Sequence, residues 1–277
     1  MLKKNIPLFF LILLTISVAN AQNKNYINEQ TELAGDSIYY TQIITDTIFD
    51  SRQIISLLIV PNKALNRFNI EFGYSQTELS TTSSFAKSNN ALAAVNGGFF
   101  NMDDGGSVTY FEINDTVINK SRDPELKWGI TDSIINGAIV LTYDNHIIIE
   151  PCRSEQFYES SKKELAVLLT GPVLLKNSKE TIFPDMKFVK NRHPRTCLCK
   201  TEEALVCITI DGRTKEAEGM SLYELQKFLK EIGCIDAINL DGGGSTTMWI
   251  RNREVVNHPS GKEERKVANV LMILDKN

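Results

Sequence analysis

"SLYELQKFLKEIGCIDAINLDGGGSTTMW", Ser221–Trp249, runs from a helix into a strand and then into three consecutive glycines. Ser221 and Glu224 form a capping box, and positions 222, 225, 228, 229 and 232 put apolar side chains on one helical face. Gly233 suits the left-handed position just past a helix end. "IDAINL" (235–240) reads as a strand, so "DGGGST" is the turn at its carboxyl end, where sheets that bind ligands often open a crevice. Each glycine inside folded structure costs roughly 0.5–1 kcal/mol relative to alanine, so three in a row imply that something approaches that backbone closely. Backbone without side chains exposes N–H groups that cradle an anion. Ser245, Thr246 and Thr247 add hydroxyl donors and Asp241 adds a fixed carboxylate. The segment fits no GxxxxGK[ST], GxGxxG or GxSxG pattern; the competing reading is a turn that lets strands pack closely.

Outward from this stretch the chain reads as strand after strand. "IISLLIV" (54–60), "FNIEF" (68–72), "VTYFEI" (108–113), "GAIVLTY" (137–143), "HIIIE" (146–150), "LAVLLTG" (165–171), "ALVCITI" (204–210) and "VANVLMIL" (267–274) are β-branched or alternating runs bounded by turn residues. Only 221–232 reads as a helix. The pattern predicts a strand-rich α+β fold, one domain with a mixed or antiparallel sheet core and few helices. Residues 55–277 form that domain, and the polar segment 22–54 reads as an N-terminal extension or edge strand.

Residues 1–21 differ from the rest. Lys3 and Lys4 precede an apolar run that ends in "ANA" at Ala19–Ala21, the order of a secretory signal peptide. The run is short for a membrane span, which needs about 20 apolar residues. The first cysteine is Cys152, which argues against a lipid anchor. The expectation is therefore an exported protein, periplasmic or released, cleaved near Ala21/Gln22 and without stable membrane insertion. Its net charge of −4 and lack of a basic run argue against a nucleic-acid partner. The five cysteines show no CxxC or paired metal-ligand spacing and read as small buried hydrophobes. A single bridge between Cys197 and Cys207, across the hairpin in "RTCLCKTEEALVCITI", is the alternative.

A second glycine cluster, "AAVNGGFFNMDDGG" (93–106), also follows a strand and places Asn96, Gly97 and Gly98 before two phenylalanines. In "RHPRTCLC", Arg192, His193 and Arg195 gather before another strand, and arginine offers the planar fork that matches phosphate oxygens. His146, His193 and His258 lie far apart in sequence, so a zinc hydrolase is not expected. The oxygen-rich "NMDD" (101–104) suits calcium or magnesium, although a solvated turn is the simpler reading.

In this order the blocks "NGGFF" (96–100), "TGPVLL" (170–175), "HPRT" (193–196), "IDGR" (210–213), "GMSLYEL" (219–225), "NLDGGGSTTM" (239–248), "NHPS" (257–260) and "ERKVAN" (264–269) resemble the phosphodiester glycosidase family. The resemblance covers about residue 55 to the end. It implies hydrolysis of a sugar-1-phosphodiester at the anomeric carbon, releasing sugar and a phosphomonoester, with a sugar-phosphodiester or glycan as partner. On that reading Asp241 is the base or nucleophile beside an oxocarbenium-like transition state. Asp211, or Asp103 and Asp104, would be a second carboxylate. Arg195 and the backbone of Gly242–Gly244 receive the phosphate, with Arg213 and Arg265 as further clamps. Asn96 and Asn239 face sugar hydroxyls or cap turns, and Gly97, Gly98, His193, Thr196, Ser245 and Thr246 complete the expected site. Two other classes share the same cradle: an enzyme that breaks the P–O bond, and a non-catalytic glycan binder.

Overall fold

A computed structural model describes residues 30–33, 37–261 and 263–276, so the expected signal peptide lies outside the described residues. Among the described residues the molecule is strand-rich, with four α-helices and antiparallel sheets, an α+β fold. Its centre is an eight-stranded sheet ordered Gln30–Glu32, Tyr39–Thr45, Gln53–Pro61, Ala204–Ile210, Arg195–Lys200, Asp236–Asn239, Val173–Lys176 and Lys179–Glu180. Segment 30–45 thus supplies the two outermost strands of one edge. One five-stranded sheet contains Ala93–Asn96, Met248–Ile250 and Asn269–Asp275; the other contains Gly137–Thr142, Ile147–Pro151 and Glu164–Thr170.

Period-two alternation sorts the central sheet between two apolar layers. Leu57, Cys197, Val206 and Ile208 face one core with the long helix, while Leu58, Leu198, Leu205 and Ile238 face the other with Ile70, Val95 and Leu271. The helices are α1 (Thr82–Ser88), α2 (Glu155–Ser161), α3 (Lys187–Lys190) and α4 (Leu222–Glu231). Helix α4 carries the capping box read from the sequence and buries Leu222, Leu225, Phe228 and Leu229. Each such side chain contributes roughly 1.5–3 kcal/mol. The other three helices were not expected. At seven, seven and four residues they are too short for an apolar 3.6-residue period to stand out. Side-chain caps start α1 and α2: Thr81 accepts from Ser84 N and Ser154 from Phe157 N. The run at 108–113 also shortens, since only Phe111–Ile113 is in a ladder.

The hairpin at 195–210 forms, but its register corrects the cysteine reading. Cys197 stands opposite Ile208 and Cys207 opposite Leu198. That offset of one residue sends the two thiols to opposite faces of the sheet, and both are free and buried. The bridge is instead Cys199–Cys234, which ties the hairpin to the turn after α4 and to the start of the strand that leads to Asp241. It closes a loop with a sequence separation of 35. Closing a loop of that length is worth about 3–4 kcal/mol in the chain-entropy account. The Cys234→Ser protein should lose stability of that order in denaturant titration. Thiol counting on the unfolded wild type should find three free thiols before reduction and five after; five before reduction would rule the bridge out.

Candidate active site

Three sequence blocks meet at one buried carboxamide. Asn96 Oδ1 accepts from Thr196 Oγ1 at 2.7 Å and from Thr247 N at 3.0 Å, and Asn96 Nδ2 donates to Asp241 O at 2.7 Å. Asp241 N in turn donates to Gly97 O at 3.0 Å. The backbone of Asp241 is therefore held from both sides before its side chain does anything. Asn96 and Thr196 are fully buried and committed to each other, which corrects their expected contact with substrate. Asn239 is also fully buried, its Nδ2 donating to Gly171 O and Leu240 O, which corrects its expected place against sugar hydroxyls. Gly97 and Gly98 serve packing: Gly98 N donates to Asn269 Oδ1, and a β-carbon on Gly97 would collide with the Asn269 side chain.

Asp241 projects into a cavity of about 380 Å³ lined by Phe188, His193, Arg195, Arg213, Gly242, Gly243, Gly244 and Arg265. The structure brings these candidates together, and adds Phe188, which the sequence reading missed. The glycines are explained, but not as an amide cradle. Gly242 N donates to Asp241 Oδ1 at 2.9 Å and Gly243 N to Pro194 O at 2.9 Å, which leaves Gly244 N–H alone of the three without an acceptor among the described residues. Close approach requires glycine at 242 and 244, and a left-handed φ of 60° favours it at 243. A β-carbon on Gly242 would stand 2.7 Å from Pro194 O, one on Gly243 3.1 Å from Arg213 Nη1, and one on Gly244 inside the Arg265 guanidinium. Two arginines thus lie flat on side-chain-free backbone beside the carboxylate.

Each arginine is placed by its own loop. Arg213 adopts φ 62°, a left-handed conformation uncommon outside glycine, at the turn after the strand Ala204–Ile210. Its Nη2 lies 3.0 Å from His193 Nδ1. Arg265 is positioned by its neighbours: Glu264 accepts from Ser83 N at 2.8 Å, and Lys266 pairs with Thr81. Arg192 lies outside the cavity, held by Glu224 and Glu218, and anchors the start of α4.

These surroundings set the protonation states. Burial raises the Asp241 carboxyl to about 6, against the pull of the Ser245 hydroxyl, Arg265, the Gly242 amide and Arg213. Burial, helped by Arg195 and Arg213, pushes His193 down to about 4, so it is neutral at ordinary pH with Nδ1 accepting from Arg213. Ser245 and Thr246 are buried and are not among the residues that line the cavity.

Arg195 corrects the expected phosphate fork. It is 1% exposed, and its Nε and Nη2 donate to Met220 O, Phe188 O and Asn191 O at 2.8, 2.7 and 3.0 Å, which leaves Nη1 alone of its three nitrogens without an acceptor among the described residues. Asp211 is likewise no second carboxylate of this cavity: both its oxygens are taken by Asn257 and His258, at 3.0–3.1 Å. In "NMDD", Asn101 Oδ1 caps the turn, while Asp103 pairs with Lys127 and with Trp128 Nε1. Among the described residues no three His, Cys, Asp or Glu side chains cluster as a metal site would need.

Residues 89–274 match the family model for phosphodiester glycosidase. The chain is 25% identical over 254 residues to the SPbeta prophage-derived uncharacterized protein YomE of Bacillus subtilis (strain 168), covering 88% of this chain and 37% of that protein. It is 27% identical over 199 residues to the mouse N-acetylglucosamine-1-phosphodiester alpha-N-acetylglucosaminidase, covering 68% and 37%. The chain thus spans little more than a third of these relatives. Among solved structures, the zebrafish N-acetylglucosamine-1-phosphodiester alpha-N-acetylglucosaminidase catalytic domain auto-inhibited by pro-peptide shares the fold, with TM-score 0.65 and 20% identity, covering 92% of this chain and 86% of that one.

Gly244→Ala offers a test of this electrostatic balance. Its backbone is not in the left-handed region, so alanine fits the chain, and the flexible Arg265 guanidinium is what must move. The variant should fold, and the Asp241 carboxyl should titrate above 6 once that attraction weakens. A carboxyl titration by carbon NMR that finds the midpoint unmoved would show that Arg265 does not act on Asp241.

Proposed function

Because this chain belongs to the phosphodiester glycosidase family, we propose that it is a hydrolase cleaving a sugar-1-phosphodiester at the anomeric carbon. One observation carries this reading: a single carboxylate, Asp241, shares its cavity with Arg213, Arg265 and a neutral His193. Glycosidases facing a poor leaving group need a second carboxyl to protonate it. A phosphate ester leaves as a weakly basic anion, so cations can take the place of that acid. In this reading Arg213 and Arg265 receive the phosphate oxygens by charge-assisted hydrogen bonds, and His193 holds the Arg213 fork in place. Asp241, ionised above pH 6, faces the positive charge that develops at the anomeric carbon, as nucleophile or as base for water.

The curated mammalian relatives act, by their names, on N-acetylglucosamine-1-phosphodiesters; an N-acetylated amino sugar is accordingly the first substrate to try. The order of basic, apolar and small residues over Lys3–Ala21 supports export within this reading. The Cys199–Cys234 bridge suits an oxidising compartment. Cell-envelope or extracellular glycans are the substrates such a location offers.

Two measurements on Asp241→Asn test the assignment. Turnover of a sugar-1-phosphodiester should fall about 10³-fold or more. Stability should move the other way. A carboxyl whose folded pKa is about 6 against 3.8 unfolded stabilises the fold only below 3.8, and that contribution is lost as pH rises through 6. At pH 7 the asparagine variant should therefore melt higher, by roughly 1–3 kcal/mol of stability. For the wild type, kcat/KM should fall about tenfold per pH unit below pH 6. Full activity in the variant, or a flat profile between pH 4 and 7, would remove Asp241 from the chemistry.

A further inference from the structure

Phe188 is the lining residue that the proposed chemistry leaves unused. It sits on α3, only four residues long and with no side-chain cap. A helix that short has no stability of its own. What holds it is the fully buried Val189 together with Arg195. Its Nη2 donates to the carbonyls of Phe188 and Asn191 at the end of α3, its Nε donates to Met220 O, and its guanidinium lies 4.9 Å from the centre of the Phe188 ring. The edge of Phe99 meets the same ring at 6.3 Å. Arg195 forms no salt bridge among the described residues, and its burial beside Arg213 lowers its pKa from the ordinary guanidinium value. Burying an unpaired cation is costly, and three carbonyls plus one aromatic ring offset that cost. The bonds to Phe188 O and Asn191 O and the two ring contacts all bear on the position of one phenylalanine at the cavity wall.

The cavity is therefore divided by chemistry. Arg213, Arg265 and His193 form a polar, cationic part, Asp241 stands within their reach, and Phe188 supplies aromatic wall. Phosphate satisfies only the first. A pyranose has hydroxyls at its edge and C–H bonds on its faces, and the negative face or apolar edge of an aromatic ring complements those C–H bonds. We propose that Phe188 is the sugar-recognising wall of the site and that Arg195 is a positioning residue that acts through it, not a phosphate ligand. The inference rests on the reading of the cavity as a sugar-phosphate site. It selects an uncharged pyranose ring at this wall.

The test is a double-mutant cycle in the full mature chain with Phe188→Ala, Arg195→Lys and both together. Three quantities are read: KM for a cleaved sugar-1-phosphodiester, and the inhibition constants of the free sugar and of inorganic phosphate. Phe188→Ala should raise KM and the free-sugar constant about tenfold and leave the phosphate constant within about twofold. Arg195→Lys should show the same pattern, and the double variant should be no worse than the poorer single one. Phe188→Tyr should restore sugar binding, and Phe188→Leu stands in if the alanine protein does not fold. Weakened phosphate binding in Arg195→Lys with sugar binding intact would overturn the inference, as would losses that multiply. Binding of free glucose, N-acetylglucosamine and inorganic phosphate to Asp241→Asn, followed by NMR, repeats the comparison without turnover. Failure of the hydrolase reading therefore leaves this test standing, and a pyranose affinity indifferent to Phe188→Ala overturns the inference alone.

Discussion

The site hangs on one carboxamide. Asn96 ends one strand, Thr196 begins another and Thr247 precedes a third, and the Asn96 side chain accepts from the last two while donating to Asp241 O. Asn96 and Asp241 lie 145 positions apart in sequence. A hydrogen bond between groups buried this completely is stiff because water offers no alternative partner, and losing one leaves a buried polar atom unpaired, at about 1–3 kcal/mol. The Asp241 carboxylate is thereby fixed relative to the strand that carries Arg195 and to the strand from which Gly97 departs. The rest of the cavity is built outward from that point.

Around it the balance is between desolvation and charge. Burial alone would neutralise Asp241; the arginines alone would hold it ionised well below the usual carboxylate range. The outcome, near 6, leaves a carboxylate that is ionised at neutral pH yet poorly solvated, a combination suited to a base or nucleophile. Glycine makes this possible, because Arg265 occupies the space a β-carbon on Gly244 would take, and Gly243 adopts the left-handed φ of 60° that turns the backbone beneath Arg213. The arrangement is unfavourable for stability and useful for chemistry, as expected where a site opposes the fold that holds it.

Much of this was legible in the sequence. Alternating apolar runs gave most strands, and the Ser221–Glu224 capping box gave α4. The glycine run pointed to Asp241 and to close approach at that backbone. What approaches was misread, because a sequence shows that side chains are missing but not what fills the space. Arg195 and Asn96 looked like ligands, being polar residues inside the right motifs. Only the fold reveals that Nε and Nη2 of Arg195 and the carboxamide of Asn96 are turned inward on carbonyls, a hydroxyl and an amide. Asp211 was misplaced for the same reason, since its partners Asn257 and His258 come from a distant turn. Phe188 carried no signal: "MKFVK" has no motif, and its role depends on Arg195 closing a four-residue helix. The disulfide depended on register, which falls one residue short of placing Cys197 opposite Cys207, and on a partner beyond the hairpin, Cys234.

The central claim is that Asp241 and its arginines direct cleavage to the anomeric carbon and not to phosphorus. Hydrolysis of a sugar-1-phosphodiester in water enriched in heavy oxygen reads that choice directly, by mass spectrometry of both products. The account predicts the label in the released sugar and an unlabelled phosphomonoester; label in the phosphate would contradict it.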